Sequence, residues 1–128
     1  MSVAENLLLN AVGTAARLPW PGLVDEIEAL LRDPAVQVPE RIIMPTAGGA
    51  VLFVMPAHDG RVAMSKLISL TPGNSGTPRP LIQGDVLVFD VSTGERRLVL
   101  DGPTVTARRT AAVSALAARR LAPNLEGP

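Results

Sequence analysis

The fold is decided by residues 50–70, which read AVLFVMPAHDGRVAMSKLISL. Two segments rich in β-branched and aliphatic residues, 50–55 and 61–70, lie on either side of His58-Asp59-Gly60, which is typical of a hairpin turn. The pattern predicts two antiparallel strands. Outward from this pair, the same kind of composition predicts strands over 37–44, 85–91 and 97–100, with turns at 46–49 and 92–95.

Helical patterns lie on both sides of these strands. Asn10 can cap a short helix that reaches Leu18, and Pro21 suits the first turn of a second helix that stops at Asp33-Pro34. The last helix opens at 101–103 (DGP) and runs to about residue 122. The run at 7–9 is compatible with either a strand or a helix. The expected apolar face of the second helix consists of Leu23, Ile27, Leu30 and Leu31.

The order of these elements predicts an α+β fold. We expect a mainly antiparallel sheet of about five to six strands, flanked by helices and followed by a long C-terminal helix. A chain of 128 residues is too short for two independent cores, so residues 1–128 are expected to form one folding unit.

The composition excludes several classes of site. Lys plus Arg equals Asp plus Glu at 12 each, and aromatic residues make up 2% of the chain, so a nucleic-acid partner is not expected. There is no cysteine and one histidine, His58, which excludes disulfides, thiolate chemistry and the usual zinc sites. His58 could relay a proton, but a turn histidine beside Asp59 is more often structural.

The hydropathy pattern bears on location and assembly. No segment reaches the roughly 18 apolar residues that span a bilayer, and the first ten residues lack the positive region of a signal peptide. The sequence therefore predicts a cytoplasmic protein with no membrane partner. A mean hydropathy of +0.27 in so small a chain predicts apolar surface that a second subunit covers.

Three cations from distant stretches of the chain are candidate ligand-binding residues. Arg109 falls at the edge of the helical stripe formed by 105, 112 and 116, and either pairs with a core-edge carboxylate or the sheet, or binds an anion in a cleft. Lys66 lies mid-strand, with protection of a sheet edge as the alternative. Arg41 heads a strand and alone would be an exposed strand-end charge. Together the three would suit a small carboxylate ligand. The arginines expected to be solvated, or to pair with a helix C-terminus, are Arg108, Arg119 and Arg120.

Several short strings, in a fixed order along the chain, resemble one enzyme family. They are Pro39-x-Arg41, Met55-Pro56-Ala57, Lys66, residues 83–90 (QGDVLVFD), Thr93-Gly94-Glu95, Leu100-Asp101-Gly102 and residues 106–112 (TARRTAA). As a set they resemble the ornithine cyclodeaminase and mu-crystallin family. Residues 18–21 (LPWP) and 108–112 (RRTAA) are most similar to its bacterial delta-1-pyrroline-2-carboxylate reductases.

The resemblance implies a substrate-binding and dimerisation domain over 1–128, with a dinucleotide-binding Rossmann domain after residue 128. It implies that Arg41, Lys66 and Arg109 hold the carboxylate of a small substrate. Arg109 and Thr110 would lie near NADH or NADPH, which the following domain would mainly bind. Residues 1–128 contain no Gly-x-Gly-x-x-Gly motif, and the family's catalytic aspartate falls outside them. The implied activity of the whole homodimeric protein is reduction of 1-pyrroline-2-carboxylate to L-proline, and these residues alone are expected to be inactive.

Two other activities within this resemblance stay open. An ornithine cyclodeaminase uses the same carboxylate clamp but converts ornithine to proline plus ammonia. A non-catalytic module like mu-crystallin would need a larger apolar pocket. One departure from the family bears on the cofactor: many relatives have Pro-Thr-Val-Gln-Gly where residues 80–84 read PLIQG, and Leu81 cannot donate the hydrogen bond of that threonine.

Overall fold

In a computed structural model, residues 7–124 and residue 126 are described. The strands are β1 (Leu7–Leu8), β2 (Ile42–Pro45), β3 (Val51–His58), β4 (Val62–Leu70), β5 (Ile82–Asp90) and β6 (Arg96–Asp101). The helices are α1 (Ala11–Arg17), α2 (Trp20–Arg32) and α3 (Gly102–Leu121), and short 3-10 turns cover Ala47–Gly49 and Pro72–Asn74.

The six strands form one sheet in the order β1-β6-β5-β4-β3-β2. Every neighbouring pair is antiparallel except β1 and β6, which run parallel. The predicted α+β fold with its mainly antiparallel sheet and long last helix is confirmed. The run at 7–9, which is compatible with strand or helix by sequence, contributes the edge strand β1.

The β3–β4 hairpin forms where the sequence predicts it, because its turn is stabilised locally. Asp59 Oδ1 accepts hydrogen bonds from the backbone N–H of Arg61 at 2.9 Å and of Val62 at 2.8 Å. Gly60 has a φ of +85°, which glycine adopts without the steric cost of a side chain. The predicted strand over 37–44 is wrong in its first half. Pro39 has no N–H to give to a ladder, and before Ile42 only an isolated bridge from Gln37 to His58 forms.

Helix α3 packs directly on one face of the sheet. A Cβ at Gly102 would lie 2.7 Å from the carbonyl oxygen of Gly84, and a Cβ at Gly84 would lie 2.0 Å from the carbonyl oxygen of Leu67. Gly102 therefore lets the first turn of α3 touch the backbone of β5, and Gly84 lets β5 lie against the backbone of β4. The buried apolar residues of this layer are Ile68, Val86, Leu100, Ala112 and Leu116.

Helices α1 and α2 both pack against α3. Thr14 of α1 is fully buried, and its hydroxyl accepts a hydrogen bond from the backbone N–H of Asp101 at 2.9 Å. The apolar face predicted for α2 is only partly covered, because Leu23 and Ile27 are half-buried whereas Leu30 and Leu31 are exposed. Among the described helices, none has both the length and the apolar character needed to cross a membrane.

Arg119 and Arg120 are exposed in the last turn of α3, as expected, and both also pair with carboxylates of α2. Arg108 is half-buried rather than solvated, and it contacts the C-cap residue of α1 and the first residue of α2. Arg108 donates to the carbonyl oxygen of Leu18 at 2.9 Å and lies 4.2 Å from the ring centroid of Trp20. Arg119 pairs with Asp25 at 2.8 Å and with Glu28 at 2.6 Å. Arg120 pairs with Glu28.

The sheet face opposite α3 exposes apolar side chains. Ile42, Val54 and Leu67 stand opposite one another across β2, β3 and β4, and they alternate with residues such as Ile68 that face α3. Ile42 is 58% exposed and Leu67 is 36% exposed. Met44, two residues along β2 on the same face, is 46% exposed.

Candidate functional site

Lys66 lies at the centre of the sheet. Its strand, β4, runs between β3 and β5, and Lys66 stands opposite Met55 on one neighbour and Val86 on the other. Protection of a sheet edge, the alternative interpretation, is therefore wrong for this residue. Lys66 is half-buried on the face that α3 covers, and its Nζ donates a hydrogen bond to Thr106 Oγ1 at 3.1 Å.

The surroundings of Lys66 disfavour its charged form. Burial lowers the pKa of the Lys66 ammonium below its ordinary value, and the positive charges of Arg109 and Arg41 lower it further. Since charge effects fall with distance, both guanidinium groups are close enough for their charges to act on Lys66. The three cations selected from the sequence therefore interact electrostatically, although they come from β4, from α3 and from the residue before β2.

Arg109 lies on the expected face of α3, since the buried residues Gly102 and Leu116 are seven residues before and after it. Its side chain is nevertheless exposed, so the expectation that it is packed at this face needs correction. Within the described part of the chain, Arg109 has no carboxylate within ion-pair distance, so the interpretation that pairs it with a core-edge acid does not hold. Its charge remains available at the surface beside Lys66.

Arg41 borders an open pocket of about 470 Å³. The other lining residues are Val38, Pro39, Glu40, Ile43, Met55 and Pro56. Met55 is the direct cross-strand neighbour of Lys66, so it connects this pocket with the lysine. The pocket is mainly apolar, and its wall carries one cation, Arg41, and one carboxylate, Glu40.

Two other residues considered in the sequence, Thr110 and His58, make hydrogen bonds of their own. Thr110 is exposed on α3 next to Arg109, and its backbone carbonyl accepts a hydrogen bond from Ser114 Oγ at 3.2 Å. His58 Nδ1 accepts a hydrogen bond from the backbone N–H of Gly60 at 3.2 Å, which suits a structural role in the turn. Among residues 7–124 and 126, no group of three or more histidine, aspartate or glutamate side chains could hold a metal ion.

The sequence reasoning missed one contact in this region, the hydrogen bond from Lys66 to Thr106. Thr106 precedes Arg109 by three residues, and this spacing places two helical side chains on the same face. That spacing is the sequence signal that could have indicated Thr106.

Comparison with known proteins identifies the family of this chain. The sequence model of the ornithine cyclodeaminase/mu-crystallin family matches residues 5–125. Over 123 residues the chain is 42% identical to delta(1)-pyrroline-2-carboxylate reductase 1 of Burkholderia multivorans, covering 94% of this chain and 40% of that protein. It is 39% identical over 110 residues to the ketimine reductase mu-crystallin of Mus musculus, covering 79% of this chain and 35% of that protein.

The fold also matches solved structures. The delta(1)-pyrroline-2-carboxylate reductase of Thermococcus litoralis, solved in complex with NADH and L-proline, superimposes with a TM-score of 0.79 at 26% identity. The match covers 91% of this chain and 38% of that one. The chain thus spans about two fifths of the length of the relatives it matches. It belongs to the ornithine cyclodeaminase/mu-crystallin family.

Proposed function

We propose that this chain is the substrate-binding and dimerisation domain of an NADH- or NADPH-dependent reductase that converts 1-pyrroline-2-carboxylate to L-proline. The observation that carries the proposal is the interaction among Arg41, Lys66 and Arg109, called here the cation cluster. The positive charges of Arg41 and Arg109 lower the pKa of Lys66. An anion bound among them would offset this mutual repulsion, so the cluster suits a carboxylate.

The cations fix the orientation of the substrate through its acid group. Each charge-assisted hydrogen bond contributes about 1.5 to 3 kcal/mol, and a guanidinium can grip both carboxylate oxygens at once. In 1-pyrroline-2-carboxylate the acid is attached to the carbon of the C=N bond. A clamp on the acid therefore sets the position of the carbon that accepts hydride, and such positioning can supply on the order of 7 to 11 kcal/mol at its limit.

The residues proposed to touch the cofactor are compatible with that role. Arg109 belongs to the cation cluster, Thr110 is the next residue, and both are exposed. A guanidinium matches the geometry of phosphate oxygens. Leu81 is exposed and apolar, so it offers no hydrogen bond of its side chain to a cofactor. When bound, the reduced nicotinamide supplies the hydride. This chain's residues hold the acid group in place, and we propose that they do not turn over substrate alone.

Reduction is favoured over ornithine cyclodeamination by the nature of the relatives. The Burkholderia multivorans protein, at 42% identity, is named as a reductase, and so is the mouse mu-crystallin at 39%. The pocket beside Arg41 is open, and its wall carries the charges of Arg41 and Glu40, which suits a small polar ligand better than a bulky apolar one.

The sheet face opposite α3 is the proposed surface for a homodimer. Ile42, Met44 and Leu67 expose apolar side chains on this one face, and pairing it with the same face of a second copy would remove them from water. We place this dimer in the cytoplasm.

A chimeric enzyme tests the activity. The region of the Burkholderia multivorans reductase that matches this chain is replaced by the chain, and oxidation of NADH or NADPH is followed with 1-pyrroline-2-carboxylate as substrate. We expect cofactor oxidation that depends on the imino acid, with proline as the product. Release of ammonia from ornithine without reduction of the imino acid would instead identify a cyclodeaminase.

A further inference from the structure

We propose that Thr106 is a positioning residue, which aims the Lys66 ammonium at the substrate carboxylate without neutralising its charge. This inference rests on the proposed function, because it assigns Lys66 to a carboxylate. The observation behind it is the hydrogen bond from Lys66 Nζ to Thr106 Oγ1, at 3.1 Å and partly buried.

Lysine needs such a partner to serve as a directed ligand. Its ammonium is a compact charge on a flexible four-carbon stem and has three hydrogens to donate. Thr106 takes one of these hydrogens and thereby limits the positions that Nζ can adopt. Two hydrogens remain for a ligand, and binding then costs less side-chain entropy than it would with a freely rotating lysine.

The type of partner matters as much as its position. An aspartate or glutamate at 106 would hold Lys66 more strongly, but it would also neutralise the charge that attracts the substrate. A threonine hydroxyl is a neutral acceptor, and the nearby charges that act on Lys66, those of Arg109 and Arg41, are both positive. The hydroxyl therefore orients the ammonium and leaves its charge available.

The packing of α3 fixes the position of the hydroxyl. Gly102 begins the helix in direct contact with the backbone of Gly84, and Thr106 lies four residues further along the same helix. Arg109 follows three residues later, so the same helix supplies both a cation of the site and the group that orients a second one. A shift of α3 would move both together.

Three variants of Thr106 test the inference in the 128-residue chain. Thr106→Val keeps the shape and removes the acceptor, Thr106→Ser keeps the hydroxyl, and Thr106→Asp adds a charge. Ser114→Ala is the control, because it removes an exposed hydroxyl from the same helix, away from the cation cluster. The probe is pyrrole-2-carboxylate, a stable planar acid, with affinity measured by calorimetry and the pKa of Lys66 measured by NMR.

We expect Thr106→Val to weaken binding about tenfold, as for loss of a hydrogen bond to a charged group, and to lower the pKa of Lys66. Thr106→Ser should restore both values, and Ser114→Ala should change neither. Thr106→Asp should also weaken binding, but it should raise the pKa of Lys66. A residue that only stabilises the fold would not move the pKa in opposite directions in two variants.

The outcomes separate this inference from the proposed function. If the wild-type chain binds no pyrrole-2-carboxylate, the proposed carboxylate site is wrong and the role of Thr106 falls with it. If the wild-type chain binds the acid and Thr106→Val binds it equally well, only the role of Thr106 is wrong. Tighter binding by Thr106→Asp would likewise overturn the argument that the neutral acceptor preserves the charge.

Discussion

Arg108 lies with its guanidinium carbon 4.2 Å from the ring centroid of Trp20, and the same side chain donates a hydrogen bond to the carbonyl oxygen of Leu18 at 2.9 Å. This contact joins α3 to the link between α1 and α2. Arg108 lies one residue before Arg109, so this contact also fixes the part of α3 that carries the proposed site.

The Trp20–Arg108 contact predicts a measurable loss of stability on substitution. Arg108→Ala should lower the free energy of unfolding by about 2 kcal/mol, because it removes a cation–π contact and a charged donor. Arg108→Lys should recover only part of this loss, since an ammonium lacks the planar face that stacks on the indole. Urea unfolding measures both, with Arg79→Ala in the exposed loop as the control. Equal stabilities of Arg108→Ala and wild type would show that the contact contributes nothing.

The close approach of Gly84 to the backbone of Leu67, and of Gly102 to that of Gly84, predicts that neither position tolerates a side chain. Gly102→Ala places a Cβ 2.7 Å from the carbonyl oxygen of Gly84 and from Ile68 Cδ1, so α3 must shift. We expect a loss of roughly 1 to 3 kcal/mol in unfolding free energy, as for overpacked cores. Gly73→Ala is the matched control, because a Cβ there meets nothing within 4 Å. Thermal unfolding of both variants checks this, and an unchanged midpoint for Gly102→Ala would contradict it.

Asp59 predicts a specific pH dependence of stability. Backbone hydrogen bonds from Val62 and Arg61, with a contribution from the Arg61 side chain, lower the pKa of this carboxyl from 3.8 to about 2. Because the pKa is lower in the folded chain, the ionised Asp59 carboxylate stabilises the fold fully at pH values well above 3.8. This stabilisation is lost as the pH falls towards 2. Asp59→Asn should therefore be less stable than wild type at about pH 6, and the difference should shrink towards about pH 2. Urea titrations at several pH values measure this difference, and a constant difference would contradict the prediction.

The apolar face opposite α3 predicts a dimer that charge would disrupt. Wild-type chain should sediment as a dimer at micromolar concentration, whereas Leu67→Lys combined with Ile42→Lys should sediment as a monomer because two lysines would have to be buried. Val12→Lys is the control, since Val12 is 78% exposed on α1, outside the proposed interface. Analytical ultracentrifugation distinguishes the states. A monomeric wild type, or a double variant that stays dimeric, would show that this face is not the interface.

The features that local chemistry determines could be predicted from the sequence. The β3–β4 hairpin depends on Asp59 and Gly60, which act within their own turn, and the start of α3 depends on Asp101, whose side chain accepts a hydrogen bond from the backbone N–H of Thr104 at 3.0 Å. The β-branched residues of 37–44 by themselves predict a strand over the whole segment. Pro39 lacks the backbone N–H that a strand donates, so the first half of this segment does not form the predicted strand.

The features that depend on distant parts of the chain could not be predicted in the same way. Strand order decides that Lys66 is central rather than at an edge, and no local pattern gives that order. Arg108 and Arg109 are adjacent on α3, yet their surroundings differ because Leu18 and Trp20, about ninety residues earlier, lie against Arg108. Position in the predicted elements and family resemblance both point to Arg41, Lys66 and Arg109, but the interaction of their charges depends on how the chain folds.

The central claim is that these three cations bind one carboxylate, and calorimetric titration with pyrrole-2-carboxylate tests it most directly. We expect binding at a single site, weakened roughly tenfold or more by Arg109→Ala and to a similar extent by Arg41→Ala, as for loss of one charge-assisted contact. Arg119→Ala, which removes an exposed arginine of the same helix that pairs with α2, should bind as wild type. Wild-type affinity in Arg109→Ala would contradict the claim.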